Sequence, residues 1–269
     1  MKKWVLLKTG MLKISGEKAG EFLQGICTND VKSLTAGSLL PTAFLDRFGK
    51  VLAVSAIHRA EGSFLAQSDF ASNKKLFEYL SGLAEFSNCK VEDLSEEFSV
   101  FVIFGSEGTE NSKFNPLLNT QQVIIQKSSA EGTIRELEQK GFAEMAQEDW
   151  ENYRIGNRVP EYGKDYDNNY MVLELGLDNL ISYTKGCYTG QEVVARMKNY
   201  GGEIPRKIVK MSFDEKNKLT EKDKIFFEGK EVGFVTSVGN RICLGTVKKG
   251  FFEEGMELGT ESKVKLVVE

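Results

Sequence analysis

One octet concentrates the reactive chemistry of this chain: Lys185-Gly186-Cys187-Tyr188-Thr189-Gly190-Gln191-Glu192. An apolar run, Asn179-Leu180-Ile181-Ser182-Tyr183, precedes it and reads as a strand or extended arm. Val193-Val194-Ala195-Arg196-Met197 follows it and reads as a helix. Thr189 and Glu192 stand at the spacing of a capping box, in which the threonine oxygen accepts the glutamate N–H and the glutamate reaches back in turn. The spacing predicts a helix from Gly190 with Cys187 just outside its N-terminus. Unpaired N–H groups and the helix dipole favour negative charge there, and Lys185 adds a positive charge two residues away. A thiolate so placed is expected to titrate below the free value of about 8.5. That is the chemistry of a nucleophile or a sulfur ligand; the competing reading is a cysteine buried as a small hydrophobe.

Other reactive groups offer less. Cys27, Cys89, Cys187 and Cys243 are scattered with no CxxC pair, so neither a zinc site nor a dithiol motif is signalled. His58 is the only histidine, which removes HExxH sites, and its place in a strand-like run gives it a structural or surface role. No GxGxxG, GxxxxGK[ST] or GxSxG motif occurs. Asp30, Asp46 and Glu192 read first as a helix-start residue, a turn residue and a cap partner. Trp150, four residues before Arg154 in a predicted helix, either stacks on a flat heterocycle whose carboxylate the arginine pairs, or anchors the core.

The elements that must position these groups are mixed. Strands are expected at Met11–Ser15, Leu39–Leu45, Val51–His58, Phe64–Gln67, Phe98–Phe104 and Gln122–Gln126, with Asp46-Arg47-Phe48-Gly49 as a hairpin turn. Helices are expected at Gly16–Gln24, Ser72–Phe86 and Ile134–Gln139, with a short one capped near Thr28-Asn29-Asp30-Val31. After Pro205 the helical pattern stops. Lys207–Phe213, Lys224–Phe227, Glu231–Val238, Arg241–Val247 and Lys263–Val268 read as strands of a small β-barrel or sandwich, and Asp214–Lys224 as a solvated turn. The class is α+β.

Composition bounds the rest. The 269 residues suggest two or three compact units, and 41% hydrophobic with 28% charged residues is ordinary globular usage. A net charge of -4 argues against non-specific nucleic-acid binding. Lys8 ends the run Trp4-Val5-Leu6-Leu7 too early for a signal sequence, and no segment has the apolar length of a membrane span. The expected location is cytoplasmic.

The octet resembles the signature of the YgfZ-type folate-binding proteins, relatives of the glycine-cleavage T-protein and of a mitochondrial iron–sulfur assembly factor. Phe22-Leu23-Gln24-Gly25 with Thr28-Asn29-Asp30-Val31, then Leu45-Asp46-Arg47-Phe48-Gly49-Lys50, Arg154-Ile155 with Pro160, and Val194-Ala195-Arg196 resemble further family segments in order. The resemblance implies interwoven α+β folate-binding domains over 1–200, roughly 1–50 with 145–200 and 51–144, followed by an antiparallel β-barrel over 204–269. It implies a tetrahydrofolate or a derivative as cofactor, with Trp150, Arg154, Tyr188, Gln191 and Asp30 as its contacts, and Cys187 and Lys185 as the reactive pair. The activity implied is support of iron–sulfur enzymes, tRNA-modifying ones included. The implied partners are folate and iron–sulfur client or assembly proteins, with no direct nucleic acid and no membrane, and the expected state is a monomer.

The chain also departs from the pattern. Arg154-Ile155-Gly156-Asn157-Arg158 stands where the family has Arg-Ile-Glu-Ala-Gly, Val172-Leu173-Glu174 where it has Pro-x-Glu, and Tyr200-Gly201-Gly202-Glu203 where it has an Arg-Gly turn. Gly156 thus replaces an acidic residue that contacts folate in the T-protein branch. Two alternatives stay open: a one-carbon or aminomethyl transferase, and a non-catalytic scaffold that has lost folate. The T-protein branch lacks the cysteine octet, which favours an accessory factor over the transferase.

Overall fold

Alternating and fully apolar runs in the first half of the chain pair into two sheets. The computed structural model describes residues 2–35, 37–105, 112–199, 203–214 and 219–269. Chain contacts divide it into two units, Met1–Ala146 with Asn179–Gln191, and Gln147–Asp178 with Glu192–Glu269.

The first unit contains β1 (Lys3–Leu7), β2 (Thr9–Ser15), α1 (Ala19–Ile26), β3 (Leu39–Leu45), β4 (Val51–Ala60), β5 (Ser63–Asp69) and α2 (Phe70–Ala84). It continues with β6 (Lys90–Asp93), β7 (Phe98–Phe104), β8 (Lys113–Asn115), β9 (Thr120–Gln126), α3 (Ala130–Gln139) and β10 (Ala143–Glu144). One sheet has the order β3-β4-β5-β2-β6 and the other β10-β1-β7-β9-β8. On the first sheet, α1 and α2 bury Phe22, Leu23, Leu76 and Leu80 against Leu12, Ile14, Ala53 and Ile57. Leu76, Leu80 and Ala84 recur every fourth residue, the stripe that makes α2 amphipathic. On the second sheet, Leu137 of α3 joins Trp4, Phe101, Ile103 and Val123. Trp4–Leu7, which imitates a leader in sequence, is therefore a strand with Trp4 and Val5 buried. The sheets meet through Met11, Leu65 and Val100 and through a buried amide chain, in which Asn115 donates to Gln122 at 2.7 Å and Gln122 to Gln67 at 2.9 Å.

The second unit contains α4 (Gln147–Gly156), most of α5 (Gln191–Asn199) and β11 (Arg206–Phe213), β12 (Lys224–Phe227), β13 (Lys230–Val238), β14 (Ile242–Lys248), β15 (Glu257–Thr260) and β16 (Lys265–Val268). These six strands close as β11-β14-β13-β12-β15-β16, with antiparallel pairing throughout. Met211, Ile225, Val232, Val235, Val247 and Leu266 fill the interior. The fold is the α+β class with a C-terminal antiparallel barrel that the sequence indicates. The turn at Tyr200-Gly201-Gly202 and residues 215–218 of the expected solvated turn lie outside the described residues.

Candidate functional site

The octet belongs to a segment that starts with a 3-10 turn at Asp178–Leu180 and then runs without regular structure to α5. The strand or extended arm expected over Asn179–Tyr183 is not formed: Asn179 and Leu180 belong to the 3-10 turn, and the irregular arm that follows is held by the N-terminal motif. Thr28 donates its hydroxyl to the Leu180 carbonyl at 2.5 Å, and the Ser182 N–H donates to the Thr28 carbonyl at 3.0 Å. The Asn29 amide donates to the carbonyls of Asn179 at 2.9 Å and Pro41 at 2.7 Å. Further on, the Thr189 N–H donates to the Gly25 carbonyl at 3.1 Å.

Lys185 makes the densest set of contacts. Its ammonium donates to the carbonyls of Gln24, Cys27 and Asn29 at 2.8, 2.7 and 2.8 Å. The last carbonyls of a helix lack helical partners and carry the negative end of its dipole. An ammonium has three N–H groups to give, so Lys185 closes the C-terminal end of α1. Burial pulls its pKa down, while the nearby Cys27 and Asp30 oppose that pull. Its three donors go to carbonyls at and just past the end of α1 and none to Cys187.

Gly190 fixes the other end. Its φ is +81°, and a Cβ there would stand 2.8 Å from the Asp46 carbonyl and 3.2 Å from the Gly49 Cα. The Asp46–Gly49 turn it packs on is rigid, because one Asp46 oxygen accepts the N–H of Phe48 at 2.8 Å and of Lys50 at 2.9 Å. Two segments far apart in sequence, the hairpin turn and the octet, thus meet at a glycine that no other residue replaces without strain.

Between these mounts Cys187 is exposed, whereas Cys27 and Cys243 are buried and Cys89 is half-buried. The reading of Cys187 as a small buried hydrophobe is thereby excluded. Burial pushes the thiols of Cys27 and Cys89 up and that of Cys243 to about 12. Tyr188 is buried beside Cys187, its ring 5.1 Å from the Lys185 ammonium. Burial, with Tyr183 nearby, pushes its hydroxyl to about 12. The cap differs from expectation by one register. Gln191 accepts the Tyr188 N–H at 3.3 Å, Glu192 pairs with Arg196 at 2.8 Å, and the Thr189 hydroxyl bonds the Tyr79 phenol. Among the described residues no group of three His, Cys, Asp or Glu side chains is placed to hold a metal ion.

The expected folate contacts fall in both units. In the first, Asp30 caps the 3-10 turn Val31–Ser33, accepting from the Lys32 N–H at 3.1 Å and the Gln24 amide at 2.9 Å. In the second, Trp150 is half-buried and stacks on Tyr153, with centroids 6.0 Å apart at 21°. Arg154 is buried, and its guanidinium donates to Glu151 at 2.7 and 3.0 Å, Asp165 at 2.8 Å, Ser237 at 2.7 Å and the Val159 carbonyl at 3.3 Å. A guanidinium has five N–H donors, so this set leaves none for a ligand carboxylate. A Cβ at Gly156 would meet Ile242 at 3.6 Å, an ordinary contact. Of the five, Arg154 has all its donors committed to the protein, the Gln191 carbonyl accepts from Tyr188, and Asp30 uses one carboxylate oxygen, Oδ1, for both of its bonds, while Trp150 is half-buried.

The site residues that sequence reasoning missed are Thr28 and Asn29 as arm anchors and Tyr79 as the partner of Thr189. Thr28 and Asn29 carried a signal in the quoted N-terminal motif, though for a helix cap; Tyr79 carried none.

Comparison with known proteins bears on the family and the fold. Residues 7–110 match the GCVT N-terminal domain family. The chain is 27% identical over 218 residues to the tRNA-modifying protein YgfZ of Colwellia psychrerythraea, covering 73% of this chain and 67% of that protein. It is 28% identical over 236 residues to the mitochondrial iron–sulfur cluster assembly factor IBA57 homologue of Mycosarcoma maydis, covering 78% of this chain and 57% of that relative's length. The glycine cleavage system aminomethyltransferase T from Bartonella henselae superposes with a TM-score of 0.84 over 99% of this chain and 84% of that one, at 15% identity, which shows the shared fold.

Proposed function

For a YgfZ-type, GCVT-like protein with an exposed thiol on a clamped arm, we propose a role in assembly or repair of iron–sulfur enzymes, tRNA-modifying ones among them. The observation that carries this reading is Cys187 itself, accessible while both ends of its loop are pinned to the protein. A thiolate is the nucleophilic and sulfur-ligating form of cysteine, and the client's iron or sulfide is its cargo. The relatives' roles in iron–sulfur assembly and tRNA modification support the reading. The protein acts as an accessory factor, with iron–sulfur client or assembly proteins as partners. Cys187→Ala is the test in cells that lack their own relative. Loss of iron–sulfur enzyme activity, with the protein still folded, is the expected result; full activity points to a scaffold in which the thiol is idle.

Tetrahydrofolate binding is the second reading, favoured by the aminomethyltransferase fold and the partly accessible Trp150. Against it stand Arg154, committed to Glu151 and Asp165, and Gly156, which occupies the place where the family has an acid. Calorimetric titration with tetrahydrofolate and 5-formyltetrahydrofolate tests it. Saturable binding that Trp150→Ala abolishes is the expected result. A well-folded protein that takes up neither compound removes folate from the account.

A further inference from the structure

We propose that Lys185 is a positioning residue for Cys187, acting through its dock on three carbonyls at and just past the C-terminal end of α1 and not through its charge on the thiol. The proposal rests on the reading of Cys187 as the reacting group. Lys185 is held by the carbonyls of Gln24, Cys27 and Asn29, and Thr189 by the carbonyl of Gly25. Both ends of the loop that carries Cys187 are therefore fastened to the same few residues at the end of α1. Only Gly186, Cys187 and Tyr188 lie between the two fastenings, and Tyr188 is itself buried. A span that short has little freedom, and Cys187 is presented at its tip.

The hydrogen-bond inventory separates position from charge. The ammonium gives its three N–H groups to three carbonyls and has none left for the Cys187 sulfur. Its charge is set against the negative end of the α1 dipole. An arginine retains the charge, but its flat fork does not reproduce three donors converging from one nitrogen. A dock and a charge effect therefore predict different behaviour for Lys185→Arg.

The experiment compares Lys185→Arg, Lys185→Met and Thr28→Val by amide hydrogen exchange over residues 181–190 and by iodoacetamide alkylation of Cys187, with the labelled peptide identified by mass spectrometry. If Lys185 positions the arm, both lysine variants raise exchange there by about tenfold or more, the scale of a lost local closure. Both also change the alkylation rate at high pH, where the thiolate is fully formed, in the same direction, with the pH midpoint unchanged. Thr28→Val removes the bond to the Leu180 carbonyl, together with those to Ala43 and Thr42, and no charge, so it moves the rate the same way even if a lysine variant folds poorly. Wild-type behaviour of Lys185→Arg, with a shift only in the pH midpoint for Lys185→Met, overturns the proposal in favour of charge. A complementation assay keeps the two claims apart. Inactive Cys187→Ala beside fully active Lys185→Met and Lys185→Arg overturns the positioning role and leaves the thiol reading standing. Full activity of Cys187→Ala overturns the thiol reading whatever the arm does.

Discussion

Four thiols in one chain differ by environment, and that difference is measurable. Cys187 is exposed, whereas burial raises Cys27 and Cys243, the latter to about 12. Under native conditions near pH 8, a thiol reagent is expected to label Cys187 first, the half-buried Cys89 more slowly, and Cys27 and Cys243 only after unfolding; peptide mapping reads the order directly. His58 gives a second test. It is buried with an unpartnered Nε2, and burial followed by the Lys113 charge lowers its pKa from 6.5 to about 4. The folded protein thus resists a proton that the unfolded chain accepts. The stability His58 contributes is present above pH 6.5 and is lost as pH falls toward 4, by about 3 kcal/mol in all. Unfolding free energies from urea titrations at pH 7 and pH 4.5 should converge by most of that amount in His58→Gln, and an unchanged acid sensitivity contradicts the assignment. In sequence, His58 shows its strand and not its burial, because periodicity gives a face and not what covers it.

Among the elements, those with long stripes or runs were legible. β4 and α2 announce themselves through Val51–His58 and the Leu76, Leu80, Ala84 spacing. β8 and β10 have three and two residues, too few for a pattern, and exist because the longer β9 and β1 pair with them. The cap of α5 shows a different limit. Thr189 has the right spacing for a box with Glu192, but its N–H goes to Gly25 and its hydroxyl to Tyr79. Long-range partners outcompete the local cap, and Gln191 supplies the reciprocal bond. Lys185 is the extreme case, since its acceptors lie 156 to 161 residues earlier. Its octet marks it, while nothing local says what it binds. Gly190 was legible as part of the motif, and the structure gives the reason: φ of +81° and the close Asp46 carbonyl. Gly190→Ala should cost about 1–3 kcal/mol and loosen the arm, seen as a lower melting temperature together with faster exchange at 188–190. An alanine that leaves both unchanged removes the hairpin contact from the account.

At the scale of the whole molecule, the sequence carried the α+β class and the C-terminal barrel, because glycine-punctuated strands without helices are unlike the first half of the chain. It also carried the likeness to YgfZ and IBA57, through an octet whose residues prove to be mount and payload: Lys185 and Gly190 hold, Cys187 is presented. What it did not carry is how the polar residues are spent. Arg154 and Asp30 have the right types for a ligand, and both are engaged within their own units. Cys187 is the exposed thiol on that mount. The most direct test of its role is the cluster-dependent modified nucleoside in tRNA from cells that lack their own relative and carry this chain or its Cys187→Ala variant. If Cys187 is the working thiol, the wild type restores the modification and the folded variant does not. Equal restoration by both contradicts it.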